Sequence, residues 1–297
     1  MKKFQFLKLS KIATCFSAVV LIFGIFSMFK NTQDFKMENI DGKMISLPLN
    51  LGIEFTGGSV FHVALGEESS TTELRDLLSE TLTRTPQIQK GDNVYVIRTE
   101  FISNPDQIYL LLESKYKNFN KDEDVSSERI GPLFSEELKK RAYLATFIGM
   151  LVILFYISIR FSFIFAQGAL IALIHDILFV LSFFAIFKVE IGLPFVAAIL
   201  TILGYSINDT IVVFDRVREN MNKMKNEKFS KIAEKSLWQT LSRTINTTTT
   251  TLLAILAIQF FGGATLKPFT TALIVGFLAG TYSSIFVATP FINWRQK

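Results

Sequence analysis

The sequence predicts a membrane α-helical bundle of six transmembrane helices, with an exported α+β ferredoxin-like domain between the first and second helices. Three observations predict it. Of the 297 residues, 49% are hydrophobic and 13% aromatic, and mean hydropathy is +0.36, well above a soluble average. Six stretches are long enough and apolar enough to cross a hydrocarbon core of about 30 Å. Between the first and second of them the apolar period shortens toward two and the charge balance changes sign. Residues 30–141 hold 14 Lys or Arg against 19 Asp or Glu, and the rest of the chain holds 17 against 7.

The same composition excludes other classes. With 30 Phe and only 16 Gly and 7 Pro, the chain is neither disordered nor collagen-like. One cysteine, Cys15, and two histidines, His62 and His175, build no disulfide framework and no multi-ligand zinc site. No Gly-x-Gly-x-x-Gly or Walker pattern is present, so neither a metal nor a cofactor is expected. The basic excess flanks the apolar runs, where cation bias reports membrane orientation, and no nucleic-acid partner is expected.

The first stretch, Ile12 to Phe29, carries no charge and follows Lys2, Lys3, Lys8 and Lys11. It ends in Gly-Ile-Phe-Ser-Met-Phe-Lys, without the small-x-small site of a cleaved signal, and reads as a retained anchor. Residues 1–30 therefore form a cytoplasmic N-terminus and the first helix, and residues 31–141 an exported domain.

Within that domain, Gly52 to Gly58 leads into Ser59 to Leu65, read as a strand with a glycine-assisted turn or bulge. Ser70, Thr71 and Thr72 offer an N-cap before Glu73 to Arg84, where Leu74, Leu77, Leu78 and Leu82 mark one helical face. Pro86 to Gln89 and Val94 to Thr99 flank a hairpin signal, Lys90-Gly91-Asp92-Asn93. Pro105 opens a second helix with Ile108, Leu111, Leu112 and Tyr116 on its buried side, and a last strand is expected over 124–130. The order β-α-β-β-α-β is that of a ferredoxin-like sandwich.

Residues 142–297 supply the remaining five spans: Ala142 to Ile159, Phe161 to Phe187, Ile191 to Phe214, Thr244 to Leu266 and Pro268 to Trp294. If all six cross, one side holds 15 Lys or Arg in short segments and the other only Lys188 and Lys267, which places both termini in the cytoplasm. The largest cytoplasmic element is then a basic loop at about 215–243. In it Phe229, Ile232, Ala233, Ser236, Leu237 and Leu241 recur at helical spacing among Lys225, Lys228, Lys231 and Lys235. That pattern is expected to rest on anionic lipid, with docking of a cytoplasmic partner as the alternative.

Ionisable groups at membrane depth cost roughly 2.5 to 3.5 kcal/mol on insertion scales and face a bundle interior, a partner or water. Asp209 lies near the cytoplasmic end of the fourth span, with Thr201 and Tyr205 on the same helical face and Asn208 beside it. Arg243 enters the fifth span at similar depth, on one face with Thr247 and Thr251, so that an ion pair with Asp209 is expected to be possible. A neighbouring cation favours the charged form of a carboxyl and desolvation the neutral form, so making and breaking such a pair is a switch; a static buried pair is the plainer alternative. His175 and Asp176, near the middle of the third span, are a second polar spot and a possible extension of a proton relay. In the sixth span Gly276, Gly280 and Ser284 belong to a stripe of small residues at steps of four, which reads as a helix-packing face.

Several strings resemble a known family. They are Gly-Ile-Glu-Phe-Thr-Gly-Gly at 52–58, Gly131-Pro132, Tyr156 to Phe161, Leu-Ile-His-Asp at 173–176, GYSINDTIVVFDRVREN at 204–220 and Ser-Arg-Thr-Ile-Asn-Thr at 242–247. They are similar to those of SecF, the accessory subunit of the bacterial protein-export translocase in the SecD/SecF family of the RND superfamily. The resemblance spans nearly the whole chain, and Glu54 departs from the family's usual Asp.

The resemblance implies a non-enzymatic, multi-pass subunit of the bacterial cytoplasmic (inner) membrane. Its implied partners are SecD, the SecYEG translocon, preprotein substrates and other membrane accessory subunits. It further implies that the proton motive force is used to assist the late stage of translocation, after the SecA step, with Asp209 and Arg243 in the proton pathway. Two readings compete. Half of an RND-type small-molecule exporter has the same span count, although such exporters carry the duplicated arrangement in one chain. An intramembrane aspartyl protease would pair Asp176 with Asp209, but the Gly-x-Gly-Asp of such enzymes is replaced by Ser206-Ile207-Asn208-Asp209.

Overall fold

The computed structural model describes residues 5–34, 36–38, 44–65, 69–82, 86–91, 94–117, 119–120, 124–263 and 266–296. Asp92 and Asn93 of the expected hairpin turn, and Lys2 and Lys3 of the basic N-terminus, lie outside those residues. The chain divides into two compact units. One comprises Met1–Lys36, Ser46–Asn50 and Ala142–Lys297; the other comprises Met37–Ile45 and Leu51–Arg141.

Among the described residues six helices are long and apolar enough to cross a membrane: Phe6–Thr32, Leu133–Arg160, Phe163–Phe187, Leu193–Lys223, Phe229–Phe261 and Lys267–Arg295. Helix α1 covers Phe6–Asp34. Its C-terminal turn is tied to the third apolar helix, because Asn31 Nδ2 donates to the carbonyl of Ala185 at 2.9 Å. Asn50 Nδ2 donates to Lys188 O at 3.1 Å, where Lys188 ends that helix in a left-handed conformation (φ 52°). These two amides satisfy carbonyls that a helix end leaves open.

The second unit begins with two short strands, β1 (Lys36–Glu38) and β2 (Met44–Ser46), which form a two-stranded sheet. A single helical turn, α2 (Ile53–Thr56), follows and leads into β3 (Gly58–Val63). The glycine-assisted turn or bulge read before the strand is a helical turn here, and the strand itself runs over Gly58–Val63. Gly57 (φ 70°) and Gly58 (φ 138°) hold backbone conformations that L side chains rarely adopt, and these let the chain leave the helical turn and enter the sheet within two residues. A Cβ on Gly58 would also lie 2.6 Å from the carbonyl oxygen of Thr99.

Helix α3 (Thr71–Ser79) is capped by Ser70, whose Oγ accepts from Glu73 N at 3.0 Å. It ends at Ser79, short of the expected Arg84, and buries Leu74 and Leu78. Strands β4 (Gln87–Lys90) and β5 (Tyr95–Thr99) pair antiparallel, helix α4 (Asp106–Lys115) buries Ile108 and Leu112, and β6 (Val125–Ile130) closes the unit. The sheet order is β4-β5-β3-β6 with antiparallel neighbours throughout. Phe61, Val63, Leu74, Leu78, Ile97 and Leu112 fill the layer between sheet and helices. At this length such a unit has a core of its own.

The remaining helices are α5 (Pro132–Arg160), α6 (Phe163–Phe187), α7 (Leu193–Lys223), α8 (Phe229–Phe261) and α9 (Lys267–Ser283), the last continued by α10 (Thr289–Arg295). Between α9 and α10 the stretch Ser284–Ala288 widens into a π-helix. Pro290 has no N–H to continue an ordinary helical ladder, and Thr289 Oγ1 donates across five residues to Ser284 O at 2.8 Å. Helices α6, α7 and α9 form the buried centre, whereas α5 exposes Leu144, Phe147, Val152 and Phe155.

The helical spacing read within the basic 215–243 segment is borne out; the lipid-facing apolar side is not. Helix α7 runs to Lys223 and α8 starts at Phe229. Ile232, Ala233, Ser236 and Leu237 are buried within the chain, so the apolar face expected to meet lipid is already covered. Asn220 of α7 donates to Ser236 Oγ at 2.8 Å and to Gln239 Oε1 at 2.7 Å, and Glu234 receives Phe6 N at 2.6 Å and Leu7 N at 3.1 Å. Phe6 packs edge-on against Trp238, with ring centroids 5.2 Å apart. The periodicity marks an amphipathic helix; what covers its apolar face is a tertiary property that spacing alone does not encode.

Candidate functional site

Among the described residues two carboxylates, Asp176 and Asp209, lie in the interior of the bundle, each reached by a hydroxyl from a neighbouring helix. Asp209, in the middle of α7, is 3% exposed. Thr281 of α9 donates to its Oδ2 at 3.4 Å, Thr248 of α8 lies 2.8 Å from Thr281, and Tyr205 of α7 donates to Thr248 at 3.2 Å. Each hydroxyl has one hydrogen, so with Thr281 donating to the carboxylate, Thr248 donates to Thr281. The result is a one-way series of donors, Tyr205 to Thr248 to Thr281 to Asp209, crossing three helices. Tyr205 also stacks on Phe277, with centroids 4.0 Å apart, which fixes its ring.

Arg243 stands on α8, and its cation acts on Asp209 through space. The ion pair that the spacing allows is not formed in this arrangement: among the described residues Arg243 has no carboxylate within 4.0 Å, and it is exposed. Asn208 is exposed, and Thr247 is half-buried with its hydroxyl spent on Arg243 O at 2.9 Å. The inward face of α8 is that of Thr244 and Thr248, one residue on from the face that carries Arg243, Thr247 and Thr251.

The second carboxylate, Asp176 of α6, has no exposed surface. Its Oδ2 accepts from Ser206 of α7 at 2.5 Å and from Ser283 of α9 at 2.9 Å, and its Oδ1 meets His175 Nδ1 at 3.0 Å. His175 Nε2 meets Ser17 of α1 at 3.0 Å, Ser17 meets the Tyr282 hydroxyl at 2.9 Å, and Tyr282 donates to Ala13 O at 2.5 Å. Four helices thus converge on one network. Ser17, His175 and Asp176 lie in sequence of contact, with Ser17 4% exposed and its hydroxyl 2.9 Å from that of Tyr282.

Small residues bring the helices this close. A Cβ on Gly276 would come within 2.3 Å of Ile202, and one on Gly280 within 2.9 Å of Ser206, so α9 lies against α7 along these glycines. Ser284, the third residue of that set, opens the π-helical stretch, is fully buried and donates to Thr281 O at 3.0 Å. Sequence spacing picked out Asp209, Tyr205, His175 and Asp176. It passed over Ser17, Ser206, Thr248, Thr281, Tyr282 and Ser283. The signal for Thr281 to Ser283 was the run of hydroxyls directly beside the small-residue stripe.

Six apolar helices around a buried, hydrogen-bonded set of carboxylates, with a separate α+β unit between the first two, define a multi-pass membrane protein with ionisable groups in its core. Sequence comparison gives the family. A profile described as "Protein export membrane protein SecD/SecF, C-terminal" matches residues 111–297, and one described as "SecD/SecF GG Motif" matches residues 44–64. The chain belongs to the SecD/SecF family of protein-export membrane proteins.

Among similar proteins, "Protein translocase subunit SecF" of Sebaldella termitidis is 36% identical over 300 residues, covering 99% of this chain and 92% of that one. The protein of the same name from Haemophilus influenzae is 38% identical over 287 residues, covering 96% and 83%. The crystal structure of SecDF, a translocon-associated membrane protein from Thermus thermophilus, superposes with a TM-score of 0.85 at 31% identity over 99% of this chain. The chain spans 39% of that longer protein. A second structure of SecDF, in a super-membrane-facing form, gives a TM-score of 0.68.

Proposed function

We propose that this chain is a SecF-type subunit of the bacterial protein-export translocase and that Asp209 couples proton movement to export. It lies in the cytoplasmic membrane with both termini inside, carries residues 31–141 as a ferredoxin-like domain outside, and pairs with a SecD chain beside SecYEG. The name and full-length similarity of its relatives support the first part, as does the joining of SecD and SecF in one SecDF chain. The sheet order β4-β5-β3-β6 around two helices supports the ferredoxin-like reading.

The observation that carries the proton role is the state of Asp209. It is a buried carboxyl at membrane depth whose one polar contact at hydrogen-bond distance among the described residues is the donor series ending at Thr281, with the cation of Arg243 left exposed on α8. Burial favours the neutral form of such a group and an approaching cation the charged form. Movement of Arg243 toward Asp209 therefore releases a proton, and movement away lets one bind. Asn208, exposed on α7, and Thr247, half-buried on α8, are the further polar groups of this path, which a partner chain completes. One proton crossing 100 mV yields about 2.3 kcal/mol, so a large movement of the exported domain needs several protons or a low-cost hinge. Gly131, where a Cβ would meet no atom within 4 Å, stands just before α5 as such a hinge.

The test is late-stage preprotein export in membrane vesicles with Asp209→Asn and Arg243→Gln made separately, with and without a proton gradient. Both variants should assemble with SecD and keep the ATP-driven step while losing stimulation by the gradient. Full stimulation in Asp209→Asn removes the proton role.

A further inference from the structure

The network around His175 and Asp176 fixes its own hydrogen positions. Tyr282 donates its one hydrogen to Ala13 O, since a carbonyl oxygen only accepts. Its oxygen must then accept from Ser17, 2.9 Å away, which spends Ser17's one hydrogen. Ser17 therefore accepts from His175, and Nε2 carries a hydrogen. At the far side of the ring, Nδ1 and Asp176 Oδ1 lie 3.0 Å apart and need a hydrogen between them. It comes either from an imidazolium facing a carboxylate or from a carboxylic acid facing a neutral imidazole. Ser206 and Ser283 point at the other carboxyl oxygen and supply none to this contact. In both arrangements the pair is neutral as a whole and holds one proton more than a carboxylate beside a neutral histidine.

We propose that His175 and Asp176 form a second protonation site, occupied in this structure, whose proton fixes the direction of the hydrogen bonds tying α1 to α9. The ligand is the proton, exchanged with water. On its release a neutral imidazole faces a carboxylate, and the ring keeps that contact only by carrying its hydrogen on Nδ1. Nε2 then becomes an acceptor and draws the hydrogen of Ser17, so Ser17 no longer donates to Tyr282. The two oxygens, 2.9 Å apart, stay together only if Tyr282 turns its hydrogen from Ala13 to Ser17. Losing the proton thus costs one bond between α1 and α9, and α1 is the helix that leads in sequence into the second unit.

Few other charges bear on the pair. Tyr282 is the ionisable group in contact with it, stacked on the imidazole with centroids 5.8 Å apart. On α7, Asp209 lies one turn beyond Ser206 and is held by Thr281, and the charges from Asp215 onward pair among themselves and with Arg160. Lys8, Lys11 and Lys30 of α1, Lys267 of α9 and Arg295 of α10 are exposed. The site does not require that Asp209 exchange protons, so the two can fail separately.

The experiment uses the full-length chain with 15N-labelled histidine in phospholipid nanodiscs, with His62→Gln so that His175 is the histidine observed. At pH 7 the nitrogen spectrum should show Nε2 carrying a hydrogen. A bare Nε2 at that pH overturns the proposal, and this measurement needs no change in the network. Tyr282→Phe releases the hydroxyl of Ser17 and should bring loss of the Nε2–H signal as the ring adopts the Nδ1–H form. An unchanged spectrum in that variant overturns the link to α1 and α9.

Discussion

Thr281 and Ser283, two positions apart on α9, donate to different carboxylates: Asp209 at 3.4 Å and Asp176 at 2.9 Å. Both acceptors are buried, and α7 takes part in each set, through Asp209 itself and through Ser206. Helices α7 and α9 are therefore keyed directly through Asp209 and Thr281, and through Asp176 of α6 by Ser206 and Ser283. Sliding one helix past the other breaks both contacts, whereas replacing a single donor breaks one.

Thr281→Val removes the donor to Asp209 at nearly constant volume. It should lower gradient-stimulated export while costing stability no more than about 1.5 kcal/mol, the scale of one hydrogen bond. Ser283→Ala should do the reverse. It loses a shorter bond to a fully buried carboxyl, which should lower thermal stability in detergent by about 1.5 to 3 kcal/mol, and it leaves the Asp209 contact in place. Measuring export and melting on both variants separates the two keys.

Gly276→Ala should force α7 and α9 apart, because the new methyl meets Ile202, a side chain with one favoured rotamer on a helix. The expected cost is about 1 to 3 kcal/mol. Ile202→Ala in the same chain should recover part of it, and a double-mutant cycle of melting temperatures reads the coupling. Additive effects would mean that the glycine is not a contact point.

Much of this arrangement was legible in the sequence, and the pattern of failure has a physical cause. The spans follow from length and apolarity, and Ser70, Pro105 and the hairpin strands follow from local chemistry, since each depends on residues near in sequence. The helical turn at Ile53–Thr56 did not show. It depends on two glycines with positive φ, which sequence alone reads equally well as a bulge. Nor did the burial of Ile232 and Leu237, because an amphipathic face is the same pattern whether lipid or protein covers it. For the site, the carboxylates stand out as costly groups in apolar runs. Their partners Ser17, Thr248, Thr281 and Ser283 are cheap to place anywhere in a helix, and only the fold brings them together.

Glu234→Ala should unfasten the start of α1. The carboxylate accepts from two backbone amides at a helix N-terminus, where negative charge is favoured, and replacing such a cap costs about 0.5 to 2 kcal/mol. Hydrogen exchange at Phe6 and Leu7 should quicken while exchange at Ile97 in β5 stays as it was.

Two glycines should behave in opposite ways. Gly58→Ala strains a backbone at φ 138° and presses on Thr99 O, and should lower stability by about 1 to 3 kcal/mol. Gly131→Ala meets open space and should leave stability within about 0.5 kcal/mol of the parent. Chemical denaturation of the full chain, followed by the fluorescence of tyrosine in the second unit, reads both.

The proton role of Asp209 is tested most directly by proton entry itself. Vesicles rebuilt with this chain, SecD and SecYEG, and loaded with a pH-sensitive dye, report the flux that accompanies translocation down an imposed gradient. The parental chain should show proton entry that rises with translocation, and Asp209→Asn should abolish that rise. An equal rise in the variant would mean that protons do not pass by way of this carboxyl.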